Sequence, residues 1–104
     1  MNGMGIMNII QERNADQLTL KIEGRIDTKT APKLDQVLQG ALEGVKKLVF
    51  DLEETAYISS AGLRVLLIAQ KQMNKQGEMS VIHANGDLME IFEVTGFTDI
   101  LVFE

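Results

Sequence analysis

The chain has 104 residues, 45% of them hydrophobic, and contains no cysteine. That length fits one compact domain with its own apolar core; disulfides, thiolate metal sites and a cysteine nucleophile are all excluded. A net charge of −5 supplies neither the basic stripe that nucleic acid requires nor a basic amphipathic helix for an anionic membrane, so the partner it points to is a protein.

The longest unbroken apolar run, Val65 to Ala69, is far short of the roughly 20 residues of a membrane helix. The opening MNGMGIMN has no basic n-region and no long apolar stretch, so it does not read as a signal peptide. The expectation is a soluble, cytoplasmic chain that stays where it is made. No repeat, low-complexity run or linker divides it, and residues 1–104 read as a single domain.

Hydrophobic period then locates the elements. Met7 to Glu12, with Ile9 and Ile10, reads as an edge strand, and Asn14, Ala15 and Asp16 as a turn. Leu18, Leu20 and Ile22 alternate with Thr19, Lys21 and Glu23, the pattern of a strand buried on one face, and Gly24 ends it. Ala31, Leu34, Val37, Leu38, Ala41 and Leu42 recur at helical spacing. Thr30 suits the N-cap of that helix, Pro32 its first turn and Gly44 its C-terminal end.

Leu48, Val49, Phe50 and Leu52, interrupted only by Asp51, read as a central strand. A second helix starts near Ser60 and carries Leu63, Val65, Leu66, Leu67, Ile68, Ala69 and Met73. Its first turns should be buried and its last turns, from Gln70 to Gln76, exposed. Met79, Val81 and Ile82 form a further strand. Asn85 caps a shorter helix with Leu88, Ile91 and Phe92 on one face, closed by Gly96, and Ile100 to Phe103 supply a last strand. The order β-β-α-β-α-β-α-β implies an α/β domain whose mixed sheet carries packed helices.

Chemistry concentrates at Tyr57-Ile58-Ser59-Ser60-Ala61-Gly62-Leu63, between a buried strand and an apolar helix start. Ser59 or Ser60 can serve simply as the N-cap, accepting a first-turn N–H; losing such a cap costs about 1 kcal/mol. The same geometry also stabilises a phosphate, because the helix end offers free N–H groups and a positive dipole end. Ala61 and Gly62 are small enough to let another protein's active site reach a serine hydroxyl.

This segment, preceded by Asp51-Leu52 and followed by Arg64-Val65-Leu66-Leu67, resembles the signature of STAS domains, specifically bacterial anti-sigma factor antagonists. Gly24-Arg25-Ile26-Asp27 is similar to the family's Gly-x-(Ile/Leu)-Asp turn, and Leu88 to Gly96 to its late helix. The resemblance implies a STAS fold with a mixed sheet of about four to five strands and helices packed against it. It also implies an antagonist that binds an anti-sigma factor serine kinase, releases a sigma factor, is inactivated by phosphorylation and is reset by a serine phosphatase. Family phosphosites commonly read Asp-Ser-(Ser/Thr)-Gly-Leu. Aligning Gly62-Leu63 with the family's Gly-Leu makes Ser60 the acceptor and leaves Ser59 in the aspartate's place, as a second candidate hydroxyl. Asp27, Thr30, Ser59, Ser60, Ala61, Gly62 and Leu63 become the partner surface, with Asp27 aiding kinase recognition or capping its own turn, or both.

The remaining candidates are plainer. His83 is the sole histidine, so no cluster of imidazoles can form around a metal, and Asp51, Glu53 and Glu54 read as a solvated loop. No nucleophile elbow or P-loop is present. No catalytic residue, cofactor or metal site is expected; the chain reads as a non-enzyme that is a monomer when free. Two other readings keep the fold or the serine: a STAS subunit of a lipid-transport complex, or a carrier binding a small ligand or nucleotide at the Ser60 helix end. A transporter tail is disfavoured by the absence of any transmembrane part.

Overall fold

The computed structural model describes residues 7–104; the first six residues of the MNGMGIMN segment lie outside them. Strands β1 (Met7–Asn14) and β2 (Gln17–Ile26) open the chain as an antiparallel pair. Along β2 the alternation holds, with Leu18, Leu20 and Ile22 buried between half-buried Thr19, Lys21 and Glu23. Strand β3 (Lys47–Asp51) lies between two parallel neighbours, β2 on one side and the later strand at Glu78–Ile82 on the other. That position explains the unbroken Leu48-Val49-Phe50, all buried.

Gly24 does not end β2, contrary to the sequence expectation. With φ +105° it adopts a conformation that side chains disfavour, the pairing shifts register after it, and β2 continues to Ile26. Its partner there is a strand that hydrophobic patterning does not reveal, β4 (Thr55–Ile58). β4 is four residues long and buries only its first and last, so it has no pattern to read. It is fixed by pairing, and by the Thr55 hydroxyl donating to the Ile22 carbonyl at 2.7 Å.

Three helices pack on the sheet: α1 (Ala31–Ala41), α2 (Ser60–Asn74) and, after β5 (Glu78–Ile82), α3 (Gly86–Val94). The described strands form one five-stranded mixed sheet in the order β1-β2-β3-β5, with β4 alongside β2 beyond β3. The core unites Leu20, Ile22, Ile26, Phe50, Leu34, Leu66, Met73 and Phe92, none above 2% exposure. Along α2 the buried stripe runs from Leu63 through Leu66 and Ala69 to Gln70 and Met73, whereas Ile68 is exposed. The last turns are therefore only half solvated, because a period of 3.6 carries the stripe past the apolar run.

The expected strand at Ile100 to Phe103 does not form. Gly96, at φ +81°, turns the chain out of α3 and a short 3₁₀ turn takes Phe97–Asp99. Only one bridge remains, between Val81 and Phe103. Phe103 packs on Phe92, ring centroids 5.0 Å apart, while Ile100 and Val102 stay exposed.

One close approach ties α2 to the sheet. A Cβ placed on Gly62 would lie 2.7 Å from both Ile26 Cγ2 and Ile58 Cγ1 and 3.1 Å from the Ile26 carbonyl oxygen. Gly62→Ala should therefore cost about 1–3 kcal/mol through overpacking, measured by urea unfolding. Unchanged stability would mean that α2 does not rest this tightly on β2 and β4.

Candidate functional site

The site is built where β2 and β4 end side by side. The Ser59 N–H donates to the Ile26 carbonyl at 2.8 Å, which places the start of α2 against the Asp27 to Thr30 turn. Asp27 Oδ1 accepts the N–H groups of Lys29 (3.0 Å) and Thr30 (3.1 Å). Thr30 occupies the N-cap position of α1, but its side chain makes no capping hydrogen bond. Its hydroxyl instead donates to the Arg25 carbonyl at 2.7 Å and accepts the Asp27 N–H at 2.8 Å. Asp27 thus caps the turn that leads into α1, and Thr30 braces it.

Partial burial opposes the charge on Asp27. The N–H groups of Thr30 and Lys29, the Thr30 hydroxyl and the Arg25 guanidinium outweigh that cost and hold its carboxyl below the usual carboxylate range. Arg25 lies 3.8 Å from Asp27 Oδ2 and 4.4 Å above the Tyr57 ring. The register pairs Arg25 with Tyr57 across β2 and β4. Sequence reasoning misses this exposed pair because it exists only through β4.

The two serines separate cleanly. Ser59 is the N-cap of α2: it is half-buried, its backbone extended, and its hydroxyl accepts the Gly62 N–H at 3.4 Å. Ser60 is the first helical residue and is exposed, and among the described residues its hydroxyl makes no hydrogen bond. Of the two serines that the sequence offers as the N-cap, Ser59 takes that role and Ser60 does not. Ala61 is half-buried, while Gly62, Leu63 and Thr30 are buried; these three shape the surface from beneath. No acidic residue occupies the first turn of α2, so the positive end of its dipole is not offset there.

Asp51 and His83 are closer partners than a solvated loop allows. His83 Nδ1 lies 2.8 Å from Asp51 Oδ1 and 3.8 Å from Glu53 Oε1, whereas Glu54 contributes its carbonyl to the Gly24 N–H. The hydrogen bond to Asp51 raises the His83 pKa above its ordinary value, against some desolvation and with help from both carboxylate charges. Partial burial of Asp51 is outweighed by its hydrogen bonds to His83 and the Glu53 N–H, so its pKa falls. The His83 contribution to stability is consequently full below the imidazole's unfolded pKa and fades as pH rises through the raised one; that of Asp51 is lost as pH falls through its lowered value.

A STAS domain profile matches residues 8–104. The chain belongs to the STAS domain family. Among curated relatives of this STAS protein, an anti-sigma-B factor antagonist of Listeria monocytogenes is 36% identical over 101 residues, covering 94% of this chain and 88% of the relative. The anti-sigma-B factor antagonist of Bacillus subtilis is 29% identical over 96 residues, covering 91% and 88%. Among solved structures, an anti-sigma factor antagonist from Mycobacterium paratuberculosis superposes with a TM-score of 0.89 at 20% identity, over 99% of this chain and 89% of that one. SpoIIAA in its unphosphorylated form gives 0.75 at 12% identity, over 93% and 87%. The expected STAS fold is the fold observed. Among the described residues, no helix is long and apolar enough to cross a membrane.

The division between the serines has a measurable signature. Ser59→Ala should cost about 1 kcal/mol, the usual loss of a helix cap, and Ser60→Ala no more than about 0.5 kcal/mol, as for an exposed non-capping site. Urea unfolding of both variants checks this; the reverse ranking would put the cap on Ser60.

Proposed function

We propose that this STAS protein is an anti-sigma factor antagonist switched by phosphorylation of Ser60. The unmodified form binds an anti-sigma factor that is also a serine kinase, and that binding frees a sigma factor. The kinase transfers the γ-phosphoryl of ATP to the Ser60 oxygen, whose proton leaves, and the modified antagonist is ejected. A separate serine phosphatase hydrolyses the phosphoester and resets it. The names of the relatives support the antagonist role. The observation that carries the choice of residue is the exposed Ser60 hydroxyl at the first helical position, without a hydrogen bond among the described residues, beside a Ser59 engaged as cap.

The switch follows from charge. Phosphoserine brings about −1.5 to −2 charges and three acceptor oxygens. At the start of α2 that charge meets free N–H groups and the positive dipole end, so the chain's own fold tolerates it. In a close contact with a partner, the same charge loses hydration without a matching cation. A penalty of about 3 kcal/mol weakens binding more than a hundredfold. The contact surface comprises Ser60, Ala61, Ser59 and Asp27, over the buried frame of Thr30, Gly62 and Leu63.

Incubation with the cognate kinase, ATP and magnesium should add one phosphate, which peptide mass spectrometry should place on Ser60. Ser60→Ala should bind the kinase but accept no phosphate, whereas Ser60→Asp should keep its melting temperature and bind far more weakly. Phosphate found mainly on Ser59, or Ser60→Asp binding as tightly as the unaltered chain, would refute this mechanism.

A further inference from the structure

Away from the serines, three metal-ligating side chains converge at the carboxyl ends of two neighbouring parallel strands. Asp51 is the last residue of β3; Glu53 follows in the turn towards β4; His83 comes immediately after β5. The parallel register sets Asp51 opposite Ile82, and the Leu52 N–H donates to the Ile82 carbonyl at 3.0 Å. The backbone thus fixes the spacing of the two chain segments. One donor atom from each of the three side chains lies within 4.8 Å of the others.

We propose that Asp51, Glu53 and His83 form a binding site for one divalent transition-metal ion of the zinc type. Bonds of about 2.1 Å place neighbouring ligand atoms about 3.0 Å apart in an octahedral shell and about 3.4 Å apart in a tetrahedral one. The observed 2.8 Å from His83 Nδ1 to Asp51 Oδ1 and 3.8 Å to Glu53 Oε1 bracket both values, so side-chain adjustment alone closes the shell. Asp51 is the anchored ligand: its side chain is 16% exposed and its Oδ1 accepts the Glu53 N–H at 3.1 Å. Glu53 and His83 are exposed and leave the remaining coordination positions to water.

The donor set selects the ion. One imidazole nitrogen with two carboxylates suits zinc, cobalt or nickel, whereas magnesium and calcium favour shells made wholly of oxygen. Binding at His83 Nδ1 displaces its hydrogen bond to Asp51; a neutral imidazole then carries its one proton on Nε2, and an imidazolium releases one proton to solvent. The ion then clips the β3–β4 turn to the end of β5. Because it binds the folded chain only, saturation also raises the melting temperature.

The test is calorimetric titration of tag-free, chelator-stripped full-length protein with zinc chloride in a non-coordinating buffer. His83→Gln, Glu53→Gln and the remote control Glu90→Gln are titrated in parallel, with circular dichroism confirming the fold of each. Expected are one zinc per chain, a loss of about tenfold or more in affinity for both His83→Gln and Glu53→Gln, no change for Glu90→Gln, and weaker heat from magnesium. Cobalt(II) titration should develop visible d–d absorption that His83→Gln abolishes. No zinc binding by the unaltered chain, or zinc binding that either ligand variant leaves within that factor, overturns the proposal. Glu53 lies on an exposed turn, so its variant isolates metal loss from any effect on folding.

Discussion

The 2.8 Å hydrogen bond from the Ser59 N–H to the Ile26 carbonyl is where the sheet passes its geometry to α2. It joins the ends of β2 and β4, so the first turn of the helix cannot move without disturbing both strands. Gly62 permits the approach, since any side chain there would press on Ile26 and Ile58. Asp27 and Thr30 hold the neighbouring turn through five hydrogen bonds that involve their side chains. At the start of α2 this rigid frame presents the exposed hydroxyl of Ser60.

Such a frame suits a switch that acts by charge and not by refolding. Neighbouring serines divide the labour: one satisfies the helix start, and the other is left free for chemistry. Had Ser60 been the cap, modifying it would have removed a hydrogen bond that the helix uses. At the first helical position its modification adds charge where the dipole accepts it, and the consequence falls on whatever docks there. Asp27 fits the same logic. Its Oδ1 is engaged in holding the turn, so in the proposed switch its part is the shape and charge it maintains.

Much of this was legible in the sequence because burial writes a period into it. Leu18, Leu20 and Ile22 marked β2, Leu34 and Leu38 marked α1, and Asn85 marked the start of α3, where its side chain accepts the Leu88 N–H at 2.9 Å. The motif around Gly62 marked the segment that is proposed as the site. What stayed hidden depended on distant pairing. β4 has no hydrophobic period of its own, and Gly24 looked like a strand end because a bulge and a terminus use the same residue. The Arg25–Tyr57 pair and the Asp51–Glu53–His83 cluster needed strand register, which no local pattern encodes. The last segment had a strand's composition, but the turn at Gly96 and Phe97–Asp99 left it too little length to pair.

The central claim is that phosphate on Ser60 changes the surface and leaves the fold alone. Amide ¹H–¹⁵N spectra of the unmodified and the Ser60-phosphorylated protein test it most directly. Shift changes confined to residues 25–30 and 57–65, with β3, β5 and α3 unmoved, are the predicted result. Widespread changes reaching β5 and α3 would contradict it and show a conformational switch instead.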